Sequence, residues 1–526
     1  MLQVSSTPAV REQENEQGIV LRHNSDRGTT DGRIITAWGD SKLQRFRTTA
    51  PVNCKPLTQI TQKLMHSFRN IVAIAIFIIQ SSKGLWAQTS VDYISPHRFS
   101  LNVAGHNLSI PYSTNYPMNA SRENIARAIV VIHGTDRNSD DYYQRVLNPA
   151  INANGTDQTT LIFAPQFLIE VDINDWNLPN NMLYWSSGGW KIGHKSQTSS
   201  TNPRPARISS FAVVDTILYR LAKRNSGLKT VVVAGHSAGG QFVNRYAAGN
   251  QIEQIIKSEF GIQVKYLVAN PSSYLYFSAE RRVTGSLSIF TVPPSTVIQE
   301  CPNYNKYKYG LENLNSYMSN VGAEMLKEQY QQRMVIYLLG ALDSNPNSST
   351  LDKSCPAMLE GRHRLERGII YYNYLKHQFG SGITDFHKKH IIPEVGHSST
   401  GIFASDCGVY YLFDYGTCDN LTIVQNKNNN NGPTTLVLSQ NYPNPFNPTT
   451  TIEFYLTKAA PVSLLIFDVT GKRVKLLSPG QIWSAGLHSV SWDGSNEKGQ
   501  KVGAGIYFYH INTPAFQETK RMILLK

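Results

Sequence analysis

The chain has 526 residues, of which 41% are hydrophobic and 17% charged, a composition typical of globular protein with room for two or three domains. Its formal net charge of +13 at pH 7 would suit a nucleic-acid-binding protein. The Lys and Arg residues are scattered, however, and no nucleic-acid-binding signature interleaves them with aromatic residues. Nucleic acid is therefore not an expected partner.

The amino-terminal part of the chain precedes any recognisable domain. Residues 1–64 are polar with little hydrophobic periodicity, and are predicted to be disordered or to come from a misassigned upstream start. Residues 65–87 have the order of a secretory signal peptide, with a basic start at Arg69 and an apolar run over 71–79. That run is shorter than the roughly 20 residues that a spanning helix needs. We expect an exported chain that begins near residue 88 and has no stable membrane span, with a permanent membrane anchor as the alternative.

Residues 88–422 read as one domain in which apolar blocks alternate with helical patterns. The blocks are RAIVVIHG, TTLIFAPQ, KTVVVAGHS, VKYLVANP, RMVIYLLGALD and KHIIPEVGHS. Such continuous apolar runs are typical of parallel strands whose sheet is covered by helices on both faces. The sequence predicts an α/β fold with a mostly parallel sheet.

The stretch GHSAG places Ser237 between Gly235 and Gly239, directly after a predicted strand and before a segment that can form a helix. This strand, turn and helix context is what a nucleophile elbow requires, because a sharp turn exposes the hydroxyl above the strand ends. Side chains larger than glycine two residues to either side would collide. A serine hydroxyl is a weak nucleophile, so it needs a base, and that base needs an orienting acid.

The acid and the base are expected after the serine, each on a loop that follows a later strand. Asp343 follows the block RMVIYLLG and is the predicted acid, with Asp352 as the alternative. His397 follows the last apolar block and is the predicted base, whereas His390 stands at the start of that block, at the wrong end. No metal or cofactor is expected, because this mechanism needs none.

Two backbone N–H groups are expected to bind the developing oxyanion, those of Ala238 and Thr135. Ala238 follows the serine, and Thr135 follows the dipeptide HG at the end of the first block. The other interpretation of HG is a simple strand-ending turn. Trp185, Trp190 and His236 are candidate residues of the substrate pocket. The tryptophans could equally hold a long loop down by burying their large area, and His236 could support the elbow.

Four cysteines follow the predicted signal peptide, and an even number in an exported chain favours disulfides. Three pairings exist. The pairing that closes the shortest loops, Cys301 with Cys355 and Cys407 with Cys418, is the predicted one. There is no CxxC pair of metal-ligand spacing, so a structural zinc site is not expected.

An asparagine-rich stretch at 423–435 is predicted to be a linker, since it cannot bury apolar surface. Beyond it, residues 436–526 contain short alternating strands separated by Gly, Pro and Asn turns. Strands at this spacing predict a small β-sandwich.

Residues 95–420 resemble a secreted α/β hydrolase of the serine esterase and lipase superfamily, through the motifs HGT, GHSAGG, LGALD and VGHS. The resemblance implies hydrolysis of an ester, thioester or amide through an acyl-enzyme. It implies Ser237 as the nucleophile, Asp343 as the acid and His397 as the base. The single HG departs from the extended glycine loop of some lipases, so bulky tertiary-alcohol esters are not indicated.

Residues 436–526 resemble the type A carboxyl-terminal sorting domain of the type IX secretion system, and also the immunoglobulin-like module of flagellar hook-capping proteins. The motifs are LSQNYPNPFNPTTTIEFYL, VSLLIFDVTGKRV, AGLHSVSWDGSNEKGQKVGAGIYFYHI and RMILLK. The resemblance implies export across both membranes of a Bacteroidota-like bacterium, with release or attachment at the cell surface. A carbohydrate-binding sandwich is the alternative for this segment.

The sequence as a whole therefore predicts a secreted or surface-attached serine hydrolase that cleaves a small or polymeric carboxylic ester. Its expected partners are that substrate and the type IX secretion machinery. A serine peptidase on the same fold is one alternative. A catalytically silent surface scaffold is the other, because a fold alone does not establish activity.

Overall fold

The computed structural model describes residues 89–118, 121–418, 436–438, 440–456, 459–484 and 486–525. The predicted upstream segment, signal peptide and linker (1–64, 65–87 and 423–435) lie outside the described residues, and the domain boundaries stay predictions. Within the described residues, no helix combines the length and apolar character that crossing a membrane requires.

The described strands are numbered in chain order. They are β1 His97–Val103, β2 His106–Thr114, β3 Arg127–Ile132, β4 Thr160–Pro165, β5 Thr230–His236, β6 Gln263–Ala269, β7 Arg281–Arg282, β8 Phe290–Thr291, β9 Met334–Gly340, β10 His387–Ile392, β11 Leu436–Leu438, β12 Thr450–Leu456, β13 Ala460–Asp468, β14 Arg473–Trp483, β15 Gly486–Trp492, β16 Gly505–Thr513 and β17 Phe516–Leu524.

The described α-helices are numbered in the same way. They are α1 Ser139–Asn152, α2 Glu170–Asp175, α3 Ser210–Arg224, α4 Ala238–Gly249, α5 Ile252–Phe260, α6 Ser295–Glu300, α7 Ser316–Val321, α8 Ala323–Gln331, α9 Cys355–Glu360, α10 Arg364–Phe379, α11 Ser399–Phe403 and α12 Asp406–Phe413.

The larger unit is built on one sheet of eight strands among the described residues, in the order β1-β2-β4-β3-β5-β6-β9-β10. The strands from β4 to β10 in that order run parallel, and β1 and β2 form an antiparallel hairpin at one edge. The six apolar blocks of the sequence are the six parallel strands. Their side chains divide between two buried clusters, one on each face of the sheet.

The carboxyl-terminal unit consists of two antiparallel sheets within the described residues, β11-β12-β15 and β14-β13-β16-β17. Alternate residues of each strand enter a shared apolar core that includes Ile452, Phe454, Ile466 and Trp492. Inward apolar and outward polar alternation is the pattern expected of a sandwich. The predicted fold class, an α/β hydrolase fold followed by a small β-sandwich, is confirmed.

Two disulfides join the cysteine pairs that the sequence predicts, Cys301–Cys355 and Cys407–Cys418. The second closes the end of the larger unit, where α12 is followed by Asp414. That carboxylate forms ion pairs with Arg127 of β3 and Lys265 of β6. The last described turn of the unit is thus joined to α12 and to two strands of the central sheet.

Candidate active site

Ser237 lies on a sharp turn between β5 and α4. Its backbone has φ 59° and ψ −117°, a region that non-glycine residues rarely adopt. The turn is held by two backbone bonds, from the Ser237 N–H to the Ala269 carbonyl (3.0 Å) and from the Gln241 N–H to the Ser237 carbonyl (3.1 Å). Strained backbone at a site over-determined by its surroundings is a common feature of functional positions.

The two glycines of the motif are required by close backbone contacts. A Cβ atom on Gly239 would lie 2.2 Å from the Ile132 carbonyl oxygen of β3, and one on Gly235 would lie 2.4 Å from the Gly239 carbonyl carbon. Both contacts are with backbone, which cannot swing aside as a flexible side chain does. The start of α4 therefore packs so closely against the ends of β3 and β5 that only glycine fits at these two positions.

We expect Gly239→Ala to lower the free energy of unfolding by about 3 kcal/mol, because the added methyl must displace the end of β3. The control is Gly382→Ala, where a Cβ would meet nothing within 4 Å. A freely accommodated substitution of that kind stays within about 0.5 kcal/mol of the parent. Denaturant unfolding of both variants measures the difference, and equal stability would contradict the packing described above.

The structure brings Asp343, His397 and Ser237 together in one hydrogen-bonded chain. Asp343 follows β9 and His397 follows β10, so both side chains project from the carboxyl ends of parallel strands. The Asp343 Oδ2 atom lies 2.7 Å from His397 Nδ1, and His397 Nε2 lies 2.9 Å from Ser237 Oγ. The Asp343 side chain is 4% exposed and that of His397 is 26% exposed, so the acid is buried and the imidazole reaches solvent.

Arg364, which the sequence analysis did not single out, contacts the second oxygen of the Asp343 carboxylate. Its Nη1 atom lies 3.5 Å from Asp343 Oδ1, and its Nη2 donates to Thr350 Oγ1. The Leu365 N–H donates to the Asp343 backbone carbonyl (3.1 Å), so the first turn of α10 packs on the acid. Asp343 is thus bonded to His397 by one oxygen and faces a buried guanidinium with the other.

The alternative acid, Asp352, is engaged elsewhere. Its Oδ2 atom accepts from Lys308 Nζ and from the Tyr309 hydroxyl, both at 2.8 Å. Burial alone would raise the pKa of Asp352, but the Lys308 ammonium and the hydroxyl donors hold it well below its ordinary value. The carboxylate hydrogen-bonded to His397 is that of Asp343, so the structure favours Asp343 over Asp352 as the candidate acid.

The structure corrects the placement of His236 in a substrate pocket. The ring is buried and packs behind His397, with the two ring centroids 4.5 Å apart. Its Nδ1 lies 3.3 Å from the Tyr142 hydroxyl and its Nε2 lies 3.4 Å from Asn270 Nδ2. Burial lowers the pKa of His236 well below its usual value, and the nearby His397 adds to the effect. His236 is therefore a buried, neutral ring that packs against the His397 imidazole.

Asn270 links the ends of three strands, and the sequence analysis missed it. Its Oδ1 accepts from the Gly340 N–H at the end of β9 (2.8 Å), and its Nδ2 donates to the Gly396 carbonyl beside His397 (3.3 Å). Its backbone has φ 42°, which asparagine tolerates better than most residues. The available signal was the asparagine within the block VKYLVANP, at the same sheet edge as the serine.

The loop after β3 is fixed by a buried histidine. His133 Nδ1 lies 2.8 Å from the Gly134 carbonyl, and its Nε2 accepts from the Phe167 N–H (2.9 Å). Burial lowers the pKa of His133 to about 4, so the ring is neutral. Thr135, which follows Gly134 in this loop, is exposed at the surface. Ala238 begins α4, and the first N–H groups of a helix have no partner within it.

Trp185 and Trp190 do not line an open pocket, which is a second correction. Both are almost completely buried in the core of the larger unit. Trp190 stacks on Phe167 and lies 4.5 Å from the His133 ring, and Trp185 Nε1 donates to the His194 carbonyl. The sequence could not separate a lining tryptophan from a buried one, because both are large aromatics in a long loop. Here they pack beneath the loop that carries Thr135.

A cavity of about 710 Å³ lies beside that loop. Its walls carry Thr135 together with charged residues, and neither Ser237 nor His397 lines it. The charged residues are Asp92, Asp136, Arg137, Asp140, Asp141 and Lys191. Burial, together with the neighbouring Lys308 ammonium, lowers the pKa of Lys191 to about 8. The space next to Thr135 is therefore polar.

Parts of the chain are similar to known proteins. The family profile described as FlgD Ig-like domain matches residues 444–513. No curated protein matches the chain. Among solved structures, the chain is similar to poly(aspartic acid) hydrolase-1 from Sphingomonas sp. KT-1, with 24% identity, 59% of this chain and 96% of that chain covered, and a TM-score of 0.37.

Two further solved structures match different shares of the chain. LpqC, a poly(3-hydroxybutyrate) depolymerase from Bordetella parapertussis, is 19% identical over 62% of this chain and 93% of its own, with a TM-score of 0.39. PorZ, a surface component of the type-IX secretion system of Porphyromonas gingivalis, is 24% identical over 17% of this chain and 11% of its own, with a TM-score of 0.13.

Proposed function

We propose that the chain is an exported serine hydrolase that cleaves carboxylic esters through Ser237, His397 and Asp343. The observation that carries the proposal is the continuous chain of short contacts from the Asp343 carboxylate through the imidazole to the serine hydroxyl. A serine on a strained turn within 2.9 Å of a histidine whose other nitrogen faces a buried carboxylate has the arrangement of an activated nucleophile.

The chemistry follows from these contacts. His397 Nε2 takes the hydroxyl proton as Ser237 Oγ attacks the ester carbonyl carbon, and the carbonyl oxygen becomes an oxyanion. The N–H groups of Ala238 and Thr135 are the proposed donors to that oxygen. His397 then gives its proton to the leaving alcohol, and an acyl-enzyme remains. Water, deprotonated by His397, attacks the acyl carbon and releases the carboxylic acid and the free serine. Asp343 orients the ring and stabilises its charged form.

Export belongs to the same proposal. The segment 65–87 would direct the chain across the inner membrane, and the sandwich would engage the type IX secretion machinery as its sorting domain. The two disulfides suit an oxidising compartment, since cytosolic thiols are kept reduced. The hydrolase would then act on a small or polymeric ester outside the cell, either released or held at the surface.

A fluorophosphonate probe tests the proposal, because it reacts covalently only with an activated serine. We expect the full chain to be labelled, with the adduct mapped by mass spectrometry to Ser237, and to cleave p-nitrophenyl esters faster than matched peptide p-nitroanilides. Faster anilide cleavage would identify a peptidase. A chain that is neither labelled nor active would be a silent scaffold, and the proposed function would be wrong.

A further inference from the structure

The sandwich contacts the larger unit through Glu453, a buried glutamate on β12. Residues 452, 454 and 456 of this strand point into the sandwich core, so 453 and 455 face the opposite way. The Glu453 side chain is only 4% exposed, and its carboxylate bonds to Arg362 and to His363 Nε2, the latter at 3.0 Å. Tyr455, from the same face of β12, packs against a cluster that contains Leu365.

His363 is the residue that caps α10. Its Nδ1 accepts from the Glu366 N–H (3.2 Å), which satisfies one of the free N–H groups of the first turn. With Nδ1 as acceptor, the neutral ring carries its proton on Nε2 and donates it to Glu453. Burial lowers the pKa of His363 to about 4, which agrees with a neutral ring. The carboxylate of the sandwich thus sets the orientation of the helix cap.

The next residue of α10 is Arg364, which faces the Asp343 carboxylate. The contacts therefore run without a gap from Glu453 to His363, through the first turn of α10, and on to Arg364 and Asp343. The charges around the junction are also shared: Glu366 pairs with Arg282 and Arg362, and Arg362 bridges Glu366 and Glu453. Removing the Glu453 carboxylate leaves the His363 ring N–H without its acceptor and takes from the Arg362 guanidinium one of its two carboxylate partners, which a buried network tolerates poorly.

We propose that the carboxyl-terminal sandwich is a positioning element of the active site, in which Glu453 holds His363 and the first turn of α10 so that Arg364 is fixed against Asp343. This inference rests on the proposed function, because it gives Asp343 the role of the acid. Glu453 is a positioning residue and does not touch the reacting atoms. Its effect falls on the rate of the chemical steps rather than on substrate binding.

Glu453→Gln in the full chain tests the inference. We expect kcat for a p-nitrophenyl ester to fall about 3- to 30-fold with KM unchanged, the range seen when residues coupled to a site are altered. The matched control is Glu518→Gln, a glutamate of the same sandwich that is about one-third exposed and pairs with Lys520. The control should keep the parent kcat. Counting active sites with a fluorophosphonate ensures that only folded enzyme enters kcat.

A second variant guards against misfolding of the first. His363→Asn keeps an oxygen that can cap α10 but loses the N–H that reaches Glu453, so the same fall in kcat is expected. Combining Glu453→Gln with Arg364→Lys should cost less than the product of the single effects, since both act on the same contact.

The outcomes separate the two proposals. An inactive parent chain would overturn the proposed function, and this inference with it. An active parent with equal kcat in Glu453→Gln, His363→Asn and Glu518→Gln would overturn the inference alone. Independent effects of Glu453 and Arg364 in the double variant would also overturn it, because the glutamate would then act by another route.

Discussion

Ser237→Ala is expected to reduce kcat for p-nitrophenyl esters by a factor on the order of 10⁴ or more, with little change in thermal stability. The hydroxyl is the proposed nucleophile, and its oxygen lies 2.9 Å from His397 Nε2. Loss of the nucleophile removes nearly all of the rate enhancement that a triad provides, because its three residues act as a unit. Steady-state hydrolysis over a series of acyl chain lengths, measured beside thermal unfolding, gives both values.

The control for this variant is Ser258→Ala, which changes an exposed serine on α5 and should leave kcat within twofold of the parent. Activity of Ser237→Ala equal to that of the parent would mean that ester cleavage does not depend on this serine, which would contradict the proposed nucleophile. The acyl chain length that the parent prefers would also give the dimensions of the site that binds the acyl group. The polar cavity beside Thr135 does not give them, because neither Ser237 nor His397 lines it.

Asp343→Asn is expected to reduce kcat by about 10⁴, almost as much as the loss of the serine. An asparagine in this position can donate to His397 Nδ1, which favours the tautomer with its proton on Nε2 and leaves no acceptor for the serine hydroxyl. The geometry of the site should persist, so KM should change little. Measurement of kcat and KM at a pH where the parent is fully active separates the two effects.

Asp352→Asn is the matched control for the acid, since the sequence left Asp352 as the alternative. Its carboxylate pairs with Lys308, so its loss should lower stability while kcat stays within about tenfold of the parent. The reverse pattern, with Asp352→Asn inactive and Asp343→Asn active, would transfer the role of the acid and contradict the contact seen between Asp343 and His397.

The parallel part of the fold was predictable from sequence because buried parallel strands are written as unbroken apolar runs. The edge hairpin β1–β2 carried no comparable signal. Its turn consists of Ala104 and Gly105, both at positive φ, and alanine is an unusual choice for the first of these positions. The local sequence therefore disfavours this turn, and the turn forms because β2 pairs with β4 in the sheet.

The candidate site also contains residues that the sequence could predict and residues that it could not. Ser237, Asp343 and His397 each follow an apolar run, so their common sheet edge could be inferred from chain order alone. Asn270 and Arg364 reach their partners across 126 and 21 positions of the chain, and no local pattern records such contacts. The burial of Trp185 and Trp190 was equally hidden, because it depends on how Phe167 and His133 pack around them.

The disulfide and the ion pairs at the end of the larger unit affect how the protein resists mechanical force. A force applied to the chain beyond residue 418, as a tether to a surface would apply, acts first on the disulfide to Cys407 and on the Asp414 ion pairs to β3 and β6. Because β3 and β6 lie inside the eight-stranded sheet, the load then passes to central strands and not to an edge strand. A protease that cuts after residue 418 leaves the end of α12 held by the disulfide and by the two ion pairs of Asp414, so the cut by itself does not free this end of the larger unit to unravel.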